Sequence, residues 1–217
     1  MNRLQKQHIL LPVLALGLDG ELTGKTLKRW NDTGLFQNCP FEADNRYISQ
    51  GFRMVGRWLS DLYLYPELGE RRKQDYLELF VGTPTPRAPL CASFYLEEEK
   101  LVLQKTSSRL SEWYGKYGLR ILEEKGLPED DLRFELVFFR HLIEQMEREK
   151  REGAKEEAGA VLQDIRTFAR EEMLSWIPAW REDVQMYAMT DYYRGLANLV
   201  YGSMLLFQEA GNEADDH

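Results

Sequence analysis

An all-α fold, a single globular helical domain with a proline-rich connecting loop near its middle, is predicted by three features of the chain. Apolar residues recur at spacings of three and four along most of its length, which lines one face of a helix. Alternating, strand-like runs are almost absent, and the one candidate, Lys100 to Gln104, is short. Prolines gather in Gly82 to Pro89 (GTPTPRAP), where three of them exclude helix interior and favour extended backbone. The expected division is N-terminal helices over about 1–80, a hinge loop over about 82–92 and C-terminal helices over about 106–210.

Each helix has its own signature. Arg3 and Lys6 precede an apolar run from Ile9 to Leu18, the outline of a signal peptide with Ala15-Leu16-Gly17 as a cleavage-like site. Pro12 interrupts that run and it is short, so a buried N-terminal helix is the better reading. Ile48, Phe52, Val55, Leu59 and Leu62 stripe the next long helix. Leu110, Trp113, Tyr114 and Tyr117 mark a shorter one, with Thr106 to Ser108 as expected caps and Gly118 as its stop. After a break at Gly126-Leu127-Pro128, Leu132, Leu136, Phe139, Ile143 and Met146 form a stripe, and Arg133, Glu135, Arg140, Glu144 and Glu147 are expected to face solvent. The charged run Glu144 to Glu157, centred on Gly153, predicts a solvated helix end and turn. Val161, Ile165 and Phe168 stripe another helix, and Tyr193, Leu196, Ala197, Val200, Met204 and Phe207 a last long one.

Composition narrows the function. The 217 residues hold 28 Lys and Arg against 36 Asp and Glu, a formal charge of −8, which argues against a general polyanion binder. A hydrophobic share of 43% is too rich for a disordered chain. Cys39 and Cys91 are far apart without CxxC spacing and read as incidental thiols of a reducing compartment. No stretch is long enough to span a bilayer, and the chain reads as cytoplasmic, without membrane insertion.

Most chemical motifs fail on their own terms. Asp19-Gly20-Glu21-Leu22-Thr23-Gly24-Lys25-Thr26 resembles a phosphate-binding loop, but a carboxylate stands at the first glycine position and no parallel sheet supports it. A helix–turn–helix connection is the better identity, with nucleotide binding through Gly24-Lys25-Thr26 as an alternative. None of the three histidines has a glutamate three residues earlier, so no di-iron pairing, no metal site and no cofactor is expected. A nucleophile–base pair is equally lacking, which makes an enzyme the minority reading. A protein-interaction scaffold stays open, although Pro86-Arg87-Ala88-Pro89, of PxxP form, is by itself only a turn.

Aromatics are the unusual resource. Tyr76 and Phe80 precede the proline loop; Phe94 and Tyr95 follow it. They either line a groove for an apolar peptide helix or pin the loop to the core, and the pattern alone does not choose. Glu129, Asp130 and Asp131 place three carboxylates before the Leu132 helix, where not all can cap it. Those left over can accept paired hydrogen bonds from a partner's arginines.

These segments, in this order, resemble the TorD/DmsD family of redox-enzyme maturation chaperones. Tyr76-Leu77-Glu78-Leu79-Phe80-Val81-Gly82 is similar to the family's Y/W-x-x-LF-hydrophobic-G motif, and Ser93-Phe94-Tyr95-Leu96-Glu97 to its S-V-[YW]-L-[DE] segment. Leu127-Pro128-Glu129-Asp130-Asp131-Leu132 falls at its E-P-x-D-H signature, with Asp131 in place of the histidine; Trp176-Ile177-Pro178 and Tyr192-Tyr193-x-x-Leu196 match its later markers. The resemblance covers the chain from about residue 45 onward. It implies a non-catalytic cytoplasmic chaperone that binds the twin-arginine or vestigial leader of an apo molybdoenzyme catalytic subunit of the dimethyl-sulfoxide-reductase type until its molybdenum cofactor is inserted. On that reading Tyr76, Phe80 and Tyr95, with Trp113 as a further wall residue, contact the apolar leader segment, and Asp130 and Asp131 meet its arginines. The resemblance also admits a monomer or a dimer that swaps helical halves through the hinge.

Overall fold

Short polar caps and glycine stops cut the apolar stripes into ten α-helices among the described residues, which in this computed structural model are 3–37, 45–82, 84–96, 103–121 and 127–210. The helices are α1 (Arg3–Gly17), α2 (Gly24–Asp32), α3 (Arg46–Leu64), α4 (Leu68–Tyr76), α5 (Ala92–Leu96), α6 (Leu103–Lys116), α7 (Leu132–Glu152), α8 (Lys155–Phe168), α9 (Ile177–Tyr187) and α10 (Asp191–Glu209). Two of them run on into one π-helical turn, α4 through Leu77–Val81 and α8 through Ala169–Met173. No strand is present among the described residues; the one isolated bridge joins Cys91 to Asp131.

The expected all-α architecture is therefore observed, with local corrections. α1 carries Pro12 in its interior and buries Leu10, Leu11 and Leu14, as a core helix does. Thr106 to Ser108 lie inside α6 rather than capping it, because the helix begins three residues earlier at Leu103. Leu103 and Gln104, from the one strand candidate, are helical; Lys100 to Val102, Cys39 and Gly126 lie outside the described residues. The loop-like Asp19–Thr26 segment is a helix–turn–helix connection: Thr23 caps α2, its hydroxyl accepting from the Thr26 N–H, and Asp19 accepts from the Glu21 N–H at 2.9 Å. Gly153, at φ +80°, ends α7 in the left-handed conformation that glycine adopts without penalty.

The two halves of the chain interlock. α1 packs along α7 and α3 along α10. At the α3–α10 crossing a Cβ on Gly195 would stand 2.7 Å from Val55 Cγ2, and one on Gly202 2.7 Å from Ile48 Cγ1, so both glycines serve close approach. Asn45 ties the same crossing down: its Oδ1 accepts from the Tyr47 and Ile48 N–H groups to cap α3, while its Nδ2 donates to the Gly202 carbonyl at 2.9 Å. α4 is held to the start of α10 by the buried Asp75, whose carboxylate accepts from the Met189 and Thr190 N–H groups and the Thr190 hydroxyl at 3.0, 2.9 and 2.6 Å. Around it sits an aromatic knot. Tyr193 Oη accepts from Arg72 Nη1, Tyr192 donates to the Gly17 carbonyl, and Trp58 packs on Tyr192.

Candidate functional site

Six residues were singled out by the sequence: Tyr76, Phe80, Tyr95, Trp113, Asp130 and Asp131. The fold distributes them over four places. Tyr76 and Phe80 meet edge-to-face at 5.5 Å, and Phe80 packs on Tyr193 at 5.2 Å. Tyr76 also closes over the α1–α2 turn, where a Cβ on Gly20 would stand 2.5 Å from its ring. Tyr95 lies beyond the proline segment, stacked on Trp176 at 5.6 Å and flanked by Phe94 at 5.1 Å. Its hydroxyl sits by Asp183; burial first, then that carboxylate's charge, pushes the phenol well above its usual range. Trp113 belongs to another region, edge-on to Phe168, with its indole N–H donating to Glu172 at 3.3 Å.

The carboxylates stand between the aromatic groups, and both face inward. Asp130, 1% exposed, accepts from the Ser93 N–H at 2.7 Å and so caps α5 from across the chain. Its carbonyl accepts from the Ala92 N–H, and the Leu132 N–H donates to the Leu90 carbonyl, which closes the bridge that pins the hinge to the start of α7. Asp131, 3% exposed, caps α7 through the Arg133 N–H at 3.0 Å. It also takes both arms of the Arg133 guanidinium, Nε to Oδ1 and Nη2 to Oδ2, each at 2.7 Å. Burial opposes the charge on Arg133, but the Asp131 bonds and charge outweigh it and raise the guanidinium further. Only Glu129 of the three acids is exposed, accepting from Ser111 Oγ at 2.7 Å.

Two residues expected to face solvent by their spacing are therefore otherwise engaged. Arg133 is spent on Asp131. Glu135 is fully buried, and neither carboxylate oxygen has a hydrogen-bond partner. Burial, together with the charges of Asp130, Asp131 and Glu172, pushes its pKa well above the ordinary carboxylate range. No group of His, Cys, Asp and Glu able to hold a metal occurs among the described residues. No helix there is long and apolar enough to cross a membrane.

What the sequence did not single out is the outer surface beside the hinge. Leu77 and Val81 are about half exposed on the end of α4, and Met186, Tyr187 and Met189 are exposed at the end of α9. The hinge ties the two sets together. Arg87 donates its N–H to the Glu78 carbonyl and lays its guanidinium over the Tyr187 ring at 5.4 Å, and Asp75 anchors Met189 to α4. Phe94, which the sequence did name among the aromatics around the proline loop, is also exposed. Unbranched, polarisable methionines on an exposed face suit partners of variable shape. The signal was present in the sequence only as apolar residues falling off the helix stripes.

A family model described as nitrate reductase delta subunit matches residues 56–182, which span the hinge and most of the elements just described. The chain is 24% identical over 194 residues to "Chaperone protein TorD" of Vibrio vulnificus, covering 86% of this chain and 85% of that one. It is 29% identical over 126 residues to the protein of the same name from Photobacterium profundum, 58% of this chain and 57% of that one. With the one from Aliivibrio fischeri the identity is 31% over 108 residues, 50% and 49% of the two chains. No solved structure matches.

Proposed function

Because the chain belongs to the TorD/DmsD family of chaperones, a family without enzymatic activity, we propose that it is a maturation chaperone for a molybdoenzyme subunit. In this reading it binds the N-terminal leader of the apo catalytic subunit, of the dimethyl-sulfoxide-reductase type, and holds it until the molybdenum cofactor is in place. The observation that carries it is the exposed apolar surface of Leu77, Val81, Met186, Tyr187 and Met189 around the hinge. A monomeric soluble protein rarely leaves such residues clustered without a partner. An amphipathic leader helix has the complementary apolar face, and a helix laid on an apolar surface is a recurring recognition mode.

Tyr76, Phe80 and Tyr95 support that surface from beneath, and Asp130 and Asp131 fix the hinge and α7 behind it. The acidic net charge of the chain favours a cationic partner over long range. The test is affinity capture from the native cell. An apo molybdoenzyme subunit should co-purify, and lose its hold on the chaperone once loaded with cofactor. Equal capture of apo and loaded subunit, or capture without any molybdoenzyme, would refute the reading.

A further inference from the structure

We propose that Arg133 is a specificity-determining residue: by occupying Asp131 with a fork of its own, it makes client recognition by this chain indifferent to the paired arginines of a leader. The inference rests on the leader-binding reading and concerns which part of the leader is read. A guanidinium and a carboxylate joined by two parallel bonds form one of the strongest polar contacts available to a protein surface, and one that lysine does not reproduce. Asp131 already makes that contact internally, with both oxygens engaged at 2.7 Å and a third bond, from the Arg133 N–H, on Oδ1. Of the pair the guanidinium is the more exposed, 15% against 4%, so the cation and not the carboxylate meets a partner.

The neighbouring acids do not replace it. Asp130 is buried and turned onto Ser93, and Glu135 is wholly buried, with no surface to offer a client. Glu129 is exposed, but Ser111 Oγ already donates to its Oε2 at 2.7 Å, so a fork from a client arginine would compete with that bond. A client arginine therefore finds at the start of α7 a bidentate site filled by the chain's own arginine. Recognition is left to the apolar stretch and to charge of unspecified type.

The experiment uses the full chain and the N-terminal peptide of the co-purifying subunit, synthesised with either paired arginines or paired lysines at the same two positions. Calorimetry on the parent protein should give affinities for the two peptides within about twofold, since the bidentate preference is unavailable. Arg133→Gln removes the fork but keeps the backbone N–H that Asp131 caps. In this variant the arginine peptide should gain at least about fivefold over the lysine peptide. Thermal melts must show Arg133→Gln folded; Arg133→Lys, which keeps the charge but loses the fork, should show an intermediate preference and serves if the glutamine variant does not fold. A parent protein that prefers the arginine peptide by more than about fivefold overturns the proposal. So does an absence of preference in both variants, which would mean that a client never reaches Asp131. Failure of both peptides to bind the parent protein is a different result: it overturns the leader reading itself, and this inference with it.

Discussion

Tyr76 and Phe80 turn inward onto Tyr193, while Leu77 and Val81, one residue further along the same helix, turn out to solvent. The first pair is the more aromatic and drew attention in the sequence; the second is ordinary in composition. The difference separates packing from exposure within a single motif. The inward residues, with Arg72, Asp75 and Tyr192, decide whether α4 and α10 hold together. The outward ones present apolar area that the fold does not need. Substitutions on the inner side should therefore read out as stability, and substitutions on the outer side as client binding at unchanged stability.

The largest effect is expected at Asp75. Asp75→Ala strands the Met189 and Thr190 N–H groups and the Thr190 hydroxyl in a buried site, a loss of about 3–5 kcal/mol. For a chain of this length that is a fall in Tm of about 10 °C, readable by circular dichroism. A loss in Tm of under about 3 °C would mean that the α4–α10 junction is not fixed by this carboxylate. Next is Phe80→Ala, which empties part of the contact with Tyr76 and Tyr193 and should cost about 2–3 kcal/mol. Client affinity, measured at a temperature where the variant is fully folded, should change little. A binding loss that exceeds the stability loss would move Phe80 from the inner to the outer side of the comparison.

Asp131→Ala comes third. It removes the cap of α7 and the Arg133 fork, and caps of this kind are worth about 1–2 kcal/mol. Denaturant melts should register that loss. This residue also marks how far the sequence could be read. The helices were legible because apolar spacing is set by the 3.6-residue turn, and Asn45, Thr23, Gly118 and Gly153 mark their ends with local chemistry. The Tyr76–Gly82, Ser93–Leu96 and Glu129–Asp131 motifs likewise pointed to segments that the fold does bring to the hinge. Their orientation was not legible. Whether Asp131 caps a helix or meets a partner depends on Arg133 two residues later, and Glu135 is buried with Tyr114 of α6 and Glu172 as neighbours, a tertiary event that no local spacing records. Leu77, Met186 and Met189 were overlooked for the converse reason, since an apolar residue outside a stripe carries no periodic signal.

Glu135 gives a smaller and oppositely signed prediction. Its folded-state pKa lies well above the ordinary 4.5, with burial as the leading cause, so the folded chain binds its proton more tightly than the unfolded chain does. Stability from this group is fully present below 4.5 and is lost as pH rises through the elevated value. Glu135→Gln, which has no proton to lose, should match the parent near pH 4 and become progressively more stable than it as the pH is raised. The measurement is Tm against pH for both proteins, where about 2–4 °C corresponds to each kcal/mol. Parallel curves would show that the acid is not held neutral. The result matters to the inner side of the comparison, because it tests whether the start of α7 tolerates a buried acid whose oxygens have no hydrogen-bond partner.

The smallest effect on stability, and the most telling for function, belongs to the outer surface. Leu77→Ser, Met186→Ser and Met189→Ser each remove apolar area that solvent already reaches, so each should shift stability by less than about 0.5 kcal/mol. Combined, they withdraw the apolar surface from both sides of the hinge while leaving Asp75, Arg72 and the Tyr76–Phe80–Tyr193 contacts in place. If a leader helix lies across this surface, burial of each such side chain contributes about 1–2 kcal/mol, and the triple variant should bind the client peptide at least about a hundredfold more weakly. Unchanged Tm with unchanged affinity would show that the leader docks elsewhere. Unchanged Tm with lost affinity would show that one helix end separates the two tasks: the inward residues maintain the fold and the outward ones hold the client.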